Sequence, residues 1–239
     1  MPVLGANGEP DASATYDRAK SNLRDAIEYN DGVLAARDGT EEVLEQVFQD
    51  LVWVWERSLD YQLSMAGVRS SFMLGSFDKL CEVYAPARGY LEQQLDLLEE
   101  KLERGELTRL QAFDLNALLR RAQDPTRMAA HMRRLQVSQP ELADEVGHKL
   151  WSTWIDAEDW ELFEMYPRDP EDEIEFVAMF KGRLARRRDD ELDQFYEERI
   201  DASFRLIDER LDKAQRAYEL SGLPRLGETF SRLRQERGL

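Results

Sequence analysis

Glu145 and His148 stand three residues apart in Glu-Val-Gly-His, inside a stretch of helical period. On a helix this spacing puts a carboxylate and an imidazole on one side, one turn apart, as in bundles that ligate paired iron or manganese ions. Such a centre draws on a second Glu-x-x-His and on two further Glu from facing helices. The only other histidine is His131, and Met128 stands three residues before it. Half a ligand set in a chain with 49 Asp and Glu reads as a solvated pair, and we expect no metal and no cofactor. Cys81 is the only cysteine, so no disulfide can close within the chain; paired with a histidine it would be a nucleophile with its base. It lies in Leu80-Cys81-Glu82-Val83, on an apolar helix side where a free cysteine behaves as a small hydrophobe. Carboxylate runs at 156–161, 169–175 and 189–193 lack the glycine and ligand spacing of a calcium loop. There is no glycine-rich phosphate loop and no Gly-x-Ser-x-Gly, so the expectation is a protein without catalytic residues, not an enzyme.

Ser138-Gln139-x-Glu141-Leu142-Ala143-x-x-Val146-Gly147 resembles the first half of a repressor-type helix-turn-helix. The resemblance implies a DNA-binding element over residues 126–158, with Arg133, Arg134 and Lys149 near phosphates and Ser138 and Gln139 on the supporting helix. The recognition helix would begin just after Gly147. That segment reads His148-Lys-Leu-Trp-Ser-Thr-Trp-Ile-Asp156, with one Lys and two Trp, and Glu158 and Asp159 follow. Trp at helical spacing packs cores more often than grooves, and the carboxylates repel phosphate. DNA binding is therefore the alternative reading, and nucleic acid is an expected partner only under it.

The charge balance points elsewhere. The formal net charge is -17 over 239 residues, and only six of the 32 basic residues are Lys. Excess carboxylate with Arg in place of Lys suits concentrated salt, where screening removes self-repulsion that would loosen the chain in dilute buffer. It disfavours nonspecific contact with nucleic acid or anionic membrane. The longest apolar run, Leu51-Val52-Trp53-Val54-Trp55, is far short of the ~18 residues of a membrane span. No basic, apolar leader opens the chain. We expect residence in the cytoplasm of a halophile, or in a virion assembled there.

The elements around these residues read as all-α: a multi-helix bundle with a long C-terminal helical region and a flexible N-terminal arm. Two Pro and two Gly mark the arm at 1–13. The bundle spans 14–166. Tyr16, Leu23, Ile27 and Leu34 share a helical spacing, and Leu44, Val47, Leu51, Trp55 and Leu59 form a second stripe. Leu51 to Trp55 is apolar all round, so Trp53 and Trp55 should both be core. Gly105 should end one helix and Thr108 cap the next. Ser138-Gln-Pro-Glu141 has the form of a capping box. Pro167 to Pro170 is the preferred boundary, and 167–239 forms the long-helix region, where Leu192, Tyr196, Ile200, Phe204, Ile207, Leu211 and Tyr218 make one stripe. Arg183, Arg186, Arg187 and Arg188 with Leu192, Tyr196 and Ile200 are the candidate oligomer interface. Every strong feature concerns packing or assembly. The function expected is a non-enzymatic structural subunit of a larger homo-oligomeric complex in a halophilic setting, meeting other assembly proteins but no membrane; a helical neck or adaptor of a virion is one example.

Overall fold

The computed structural model describes every residue except 31–32 and 191–193, and every side chain except those of 30–32, 70–71 and 187–200. With 77% of the chain helical and, among the described residues, a single two-stranded hairpin, it is an all-α multi-helix fold. It divides into two compact units, Met1–Asp124 and Pro125–Leu239. The turn at 167–170, where the sequence suggests a subdomain boundary, falls inside the second unit.

In the first unit, α1 (Ala12–Ala26) begins where the Asp11 side chain accepts from Ala14 N–H at 2.9 Å. Residues before it fold back on the same helix. Asp11 N–H donates to Val3 O, Val3 N–H donates to Thr15 Oγ1 at 2.9 Å, and Arg18 reaches Met1 O at 2.6 Å. The N-terminal arm thus satisfies backbone groups within its own chain, and its placement requires no partner. After Ala26 come β1 (Ile27–Asn30) and β2 (Val33–Ala36), paired antiparallel with Ile27 opposite Ala36 and Asn30 opposite Val33. Ile27 and Leu34 therefore lie on strands, not on the helical stripe their spacing suggests.

Helix α2 (Glu41–Tyr61) buries Leu44, Val47, Leu51 and Val54 along its packing with α1. Trp55 is core, but Trp53 is half-buried and stacks on Tyr61 at 5.9 Å, so the apolar run has an outer face after all. Asp50, buried on the same helix, takes Arg18 Nε at 2.8 Å and Nη2 at 2.7 Å, and Gln46 at 2.8 Å. Next come α3 (Met65–Val68), a π-helical turn (Arg69–Met73), α4 (Leu74–Val83), α5 (Ala85–Arg104) and α6 (Arg109–Arg121). Gly105 leaves α5 at φ 69°, and Thr108 with Gln111 forms a reciprocal capping box for α6, as their residue types foretell.

The second unit contains α7 (Pro125–Ser138), α8 (Pro140–Gly147), α9 (Trp151–Asp156), α10 (Trp160–Met165), α11 (Pro170–Asp190), α12 (Gln194–Leu220) and α13 (Pro224–Glu236). Its core holds Met132, Trp154, Phe163, Leu211, Tyr218 and Phe230. The box expected at Ser138 does not form. Ser138 stays in α7 and its hydroxyl donates to Arg134 O, because the break falls at Gln139, the residue that Pro140 keeps out of the helical region. Asp169 caps α11 by accepting from Glu171 N–H at 2.8 Å. Helices α11 and α12 run antiparallel, joined by Glu173–Arg210 and Lys181–Asp208 ion pairs at 2.6 Å each. Gly222, at φ 68°, follows α12. Among the described residues no helix is long and apolar enough to cross a membrane.

Candidate functional site

The residues of the helix-turn-helix resemblance lie together in the second unit, but their surroundings are those of a core. Helix α8 ends at Gly147, where a Cβ would fall 2.5 Å from the Tyr166 ring. That glycine is required by close packing. Trp154 Nε1 donates to Gly147 O at 3.1 Å, which ties α9 down onto the same spot. The helix that would read a groove, α9, has six residues and buries Trp151, Thr153, Trp154 and Ile155. Arg133, offered for phosphate, instead grips Asp159 with two nitrogens at 2.5 and 2.9 Å and touches Glu161 at 3.2 Å. Arg134, Ser138 and Lys149 are exposed and Gln139 is half-buried.

Glu145 and His148 are exposed; the imidazole meets Pro167 O at 3.2 Å and packs edge-on to Tyr166. Among the described residues no three His, Cys, Asp or Glu side chains converge. Cys81 is buried in the first unit and burial pushes its thiol up, away from the thiolate, while both histidines belong to the second unit.

Of the interface candidates, Arg183 and Arg186 are exposed on α11. Leu192 lies outside the described residues, as do the side chains of Arg187, Arg188, Tyr196 and Ile200. The C-terminal part of the stripe is interior: Ile207, Leu211, Ala214 and Tyr218 are buried within the unit. The outer side of α11 is different. Asp172, Phe176, Met179, Arg183 and Arg186, spaced by four and three residues in alternation, are all exposed, while Glu173, Ile174 and Val177 are buried opposite them. Phe176 and Phe180 stack there, ring planes 9° apart and centroids 6.2 Å apart.

A second site has no counterpart in the sequence motifs. Arg69 opens the π-helical turn and is only 8% exposed. One nitrogen donates to Asp114 Oδ2 on α6 at 2.5 Å, and the guanidinium lies over the Trp55 ring at 5.0 Å. Arg69 Nε is buried with no hydrogen-bond partner among the described residues. Burial pushes the Asp114 carboxyl up to about 6, although Arg69 draws it the other way. Beside the pair is a cleft of about 230 Å³, lined by Leu59, Ala66, Gly67, Arg109, Leu110 and Phe113 together with Arg69 and Asp114. Arg109, exposed at the start of α6, lies 5.9 Å from the Phe113 ring. A π turn, a buried charge with donor capacity left over, and a half-apolar cleft coincide here.

Compared with protein-family models, with curated proteins and with solved structures, the chain matches none.

Proposed function

We propose that this protein is a non-enzymatic assembly subunit that builds a homo-oligomer through the outer face of α11. The observation that carries this reading is the exposed seam Asp172-Phe176-Met179-Arg183-Arg186, apolar at its middle, acidic at its start and basic at its end. Alternating spacings of four and three are those of a helix that pairs with another helix. Two copies laid antiparallel about a two-fold axis at Met179 set Asp172 against Arg186 and Glu175 against Arg183. Phe176 then faces Gly182, where an added Cβ would meet nothing within 4 Å. The face is self-complementary, as an isologous contact requires.

The charge of -17 supports a working environment of concentrated salt. There the Debye length shrinks to ~3 Å, so only touching charges still attract. In this setting Phe176, Met179 and Phe180 supply the affinity, and the end charges set the antiparallel direction. A cytoplasmic complex or a virion neck or adaptor in a halophile would make use of such a subunit. Sedimentation of the full chain in molar potassium chloride tests the proposal. An oligomer is expected, converted to monomer by Phe176→Glu with Met179→Glu. Arg183→Glu with Arg186→Glu should weaken it, and adding Asp172→Arg with Glu175→Arg should restore it. A monomer at tens of micromolar in that salt would overturn the reading. Helix content that does not fall as the salt is diluted would remove its halophilic part.

A further inference from the structure

Resting on the α11 contact proposed above, we infer that α12 takes part in it, so that two copies meet as a four-helix bundle with both Leu206 side chains at the two-fold axis. Among the described residues of α11 and α12, Leu206 is the most exposed large apolar side chain, at 65%. Its height along the pair of helices is fixed by three contacts. Glu173 meets Arg210, Lys181 meets Asp208, and the Arg210 guanidinium lies 5.5 Å from the Phe176 ring. The midpoint of 173 and 181 is Val177 and that of 208 and 210 is Glu209, so these two residues are level. Counting three residues along each antiparallel helix sets Leu206 level with Phe180. Leu206 also stands one turn from Arg210 in the direction in which Phe180 stands one turn from Phe176. The exposed apolar surface of α11 thus continues onto α12.

The two-fold axis at Met179 returns Leu206 almost to its own height. Phe180 is one residue from Met179, so the two copies of Leu206 differ in height by two residues, ~3 Å. They are also neighbours sideways. Glu173, held by α12, and Arg183, on the seam, are ten residues apart, which at 3.6 residues per turn leaves their directions about a quarter turn apart. The seam and the α12 side of α11 therefore meet at right angles. An axis perpendicular to the antiparallel α11 pair puts both copies of α12 on one side of it, adjacent, as in a four-helix bundle. Charge follows the same geometry. Glu209 and Arg205 are both exposed, level with 177 and 181. The axis exchanges those heights, which sets Glu209 of one copy level with Arg205 of the other, an attractive pair. Burial of Leu206 beside Phe180 removes from water the apolar surface that two helices alone leave open.

Cysteine cross-linking of the full chain in molar potassium chloride tests this. Met179→Cys and Leu206→Cys are made separately and oxidised with copper phenanthroline, and covalent dimers are read on nonreducing gels. The parent, whose Cys81 is buried, is the blank. Both variants should cross-link to themselves, since both positions lie at the axis. Leu220→Cys, exposed but ~20 Å along α12 from Leu206, should not. Leu206→Glu should raise the dissociation constant measured by sedimentation about tenfold to a hundredfold, with the circular dichroism unchanged. If Met179→Cys cross-links and Leu206→Cys does not, or if Leu206→Glu assembles as tightly as the parent, α12 lies outside the contact; the inference then falls while the α11 reading stands. If the parent does not assemble and Met179→Cys stays monomeric, the α11 contact is itself wrong and the four-helix arrangement goes with it.

Discussion

Each unit buries a carboxylate against an arginine that lies on a tryptophan, and the two arrangements differ in how completely the arginine is used. In the second unit Glu173 is 1% exposed and takes Arg210 through two nitrogens, at 2.6 and 3.1 Å, with Arg168 at 3.8 Å. The Arg210 guanidinium lies 4.8 Å from the Trp151 ring, and its side chain is 41% exposed. In the first unit Asp114 receives a single bond from Arg69, which is nearly as buried as its partner. The fork on Glu173 leaves neither carboxylate oxygen wanting and lets water reach the arginine. The single bond at Asp114 leaves a donor unmet and the carboxyl raised. The same residue types thus make a forked clamp in one place and, beside a cleft, a single bond in the other; a buried Nε without a hydrogen-bond partner among the described residues occurs at both, on Arg168 and on Arg69.

Breaking the clamp should give the largest effect. Glu173→Gln removes the carboxylate that Arg210 grips through two nitrogens, while Arg168 keeps Asp172 at 3.7 Å, and should cost about 3–5 kcal/mol by denaturant unfolding in matched salt. A loss under about 1 kcal/mol would mean that solvent already screens Arg210 and that the clamp is ornamental.

Asp114→Asn should cost less, about 1–3 kcal/mol, because one hydrogen bond to a charged group is lost and not a fork. Its pH dependence is more telling. The folded Asp114 holds its proton up to about 6, and the ordinary value is 3.8. Between these values the folded chain binds a proton that the unfolded chain has released. The stability this gives is fully present below the ordinary value and is lost as pH rises through about 6. The asparagine variant lacks that titration. The stability of the parent relative to Asp114→Asn should therefore decline on going from acid to neutral pH. If it increased instead, ion pairing with Arg69 would outweigh burial and the site would resemble the clamp.

Signals carried by neighbouring residues were legible in the sequence. Thr108 with Gln111, Gly105, Asp169-Pro170 and Gly222 each marked a helix end through local chemistry. The hairpin was missed: the sequence shows no convincing alternating run here, and the helical spacing of Ile27 and Leu34 favoured a helix where β1 and β2 pair. Trp53 and Trp55 looked alike because an all-apolar run cannot say which side meets the core. The exposed arginines at 183 and 186 could be named from sequence, whereas the exposed Phe176 and Met179 upstream of them were not singled out; Leu192, Tyr196 and Ile200 fall where no side chain is described. Arg69 and Asp114 are 45 positions apart, so no motif joins them. One hint existed: Asp114 occupies a core position of α6, four residues from both Leu110 and Leu118, where a carboxylate needs a buried partner.

The smallest effect discriminates most finely between the two regions. Lysine keeps the charge of arginine but not the fork, the planar stack or the Nε donor. Arg210→Lys should therefore lose one of two bonds to Glu173 and the contact with Trp151, about 1–2 kcal/mol. Arg69→Lys keeps a single bond to Asp114 within reach and deletes a buried donor that had no partner. The lost stacking on Trp55 is offset by the relief of that donor, and the net cost should be under about 1 kcal/mol. Unfolding both variants side by side in the same salt compares the sites directly. If Arg69→Lys proves the costlier, the whole guanidinium is structurally engaged, Nε included. If Arg210→Lys is costlier, the fork on Glu173 belongs to the fold, and an ammonium is enough to hold the single bond to Asp114.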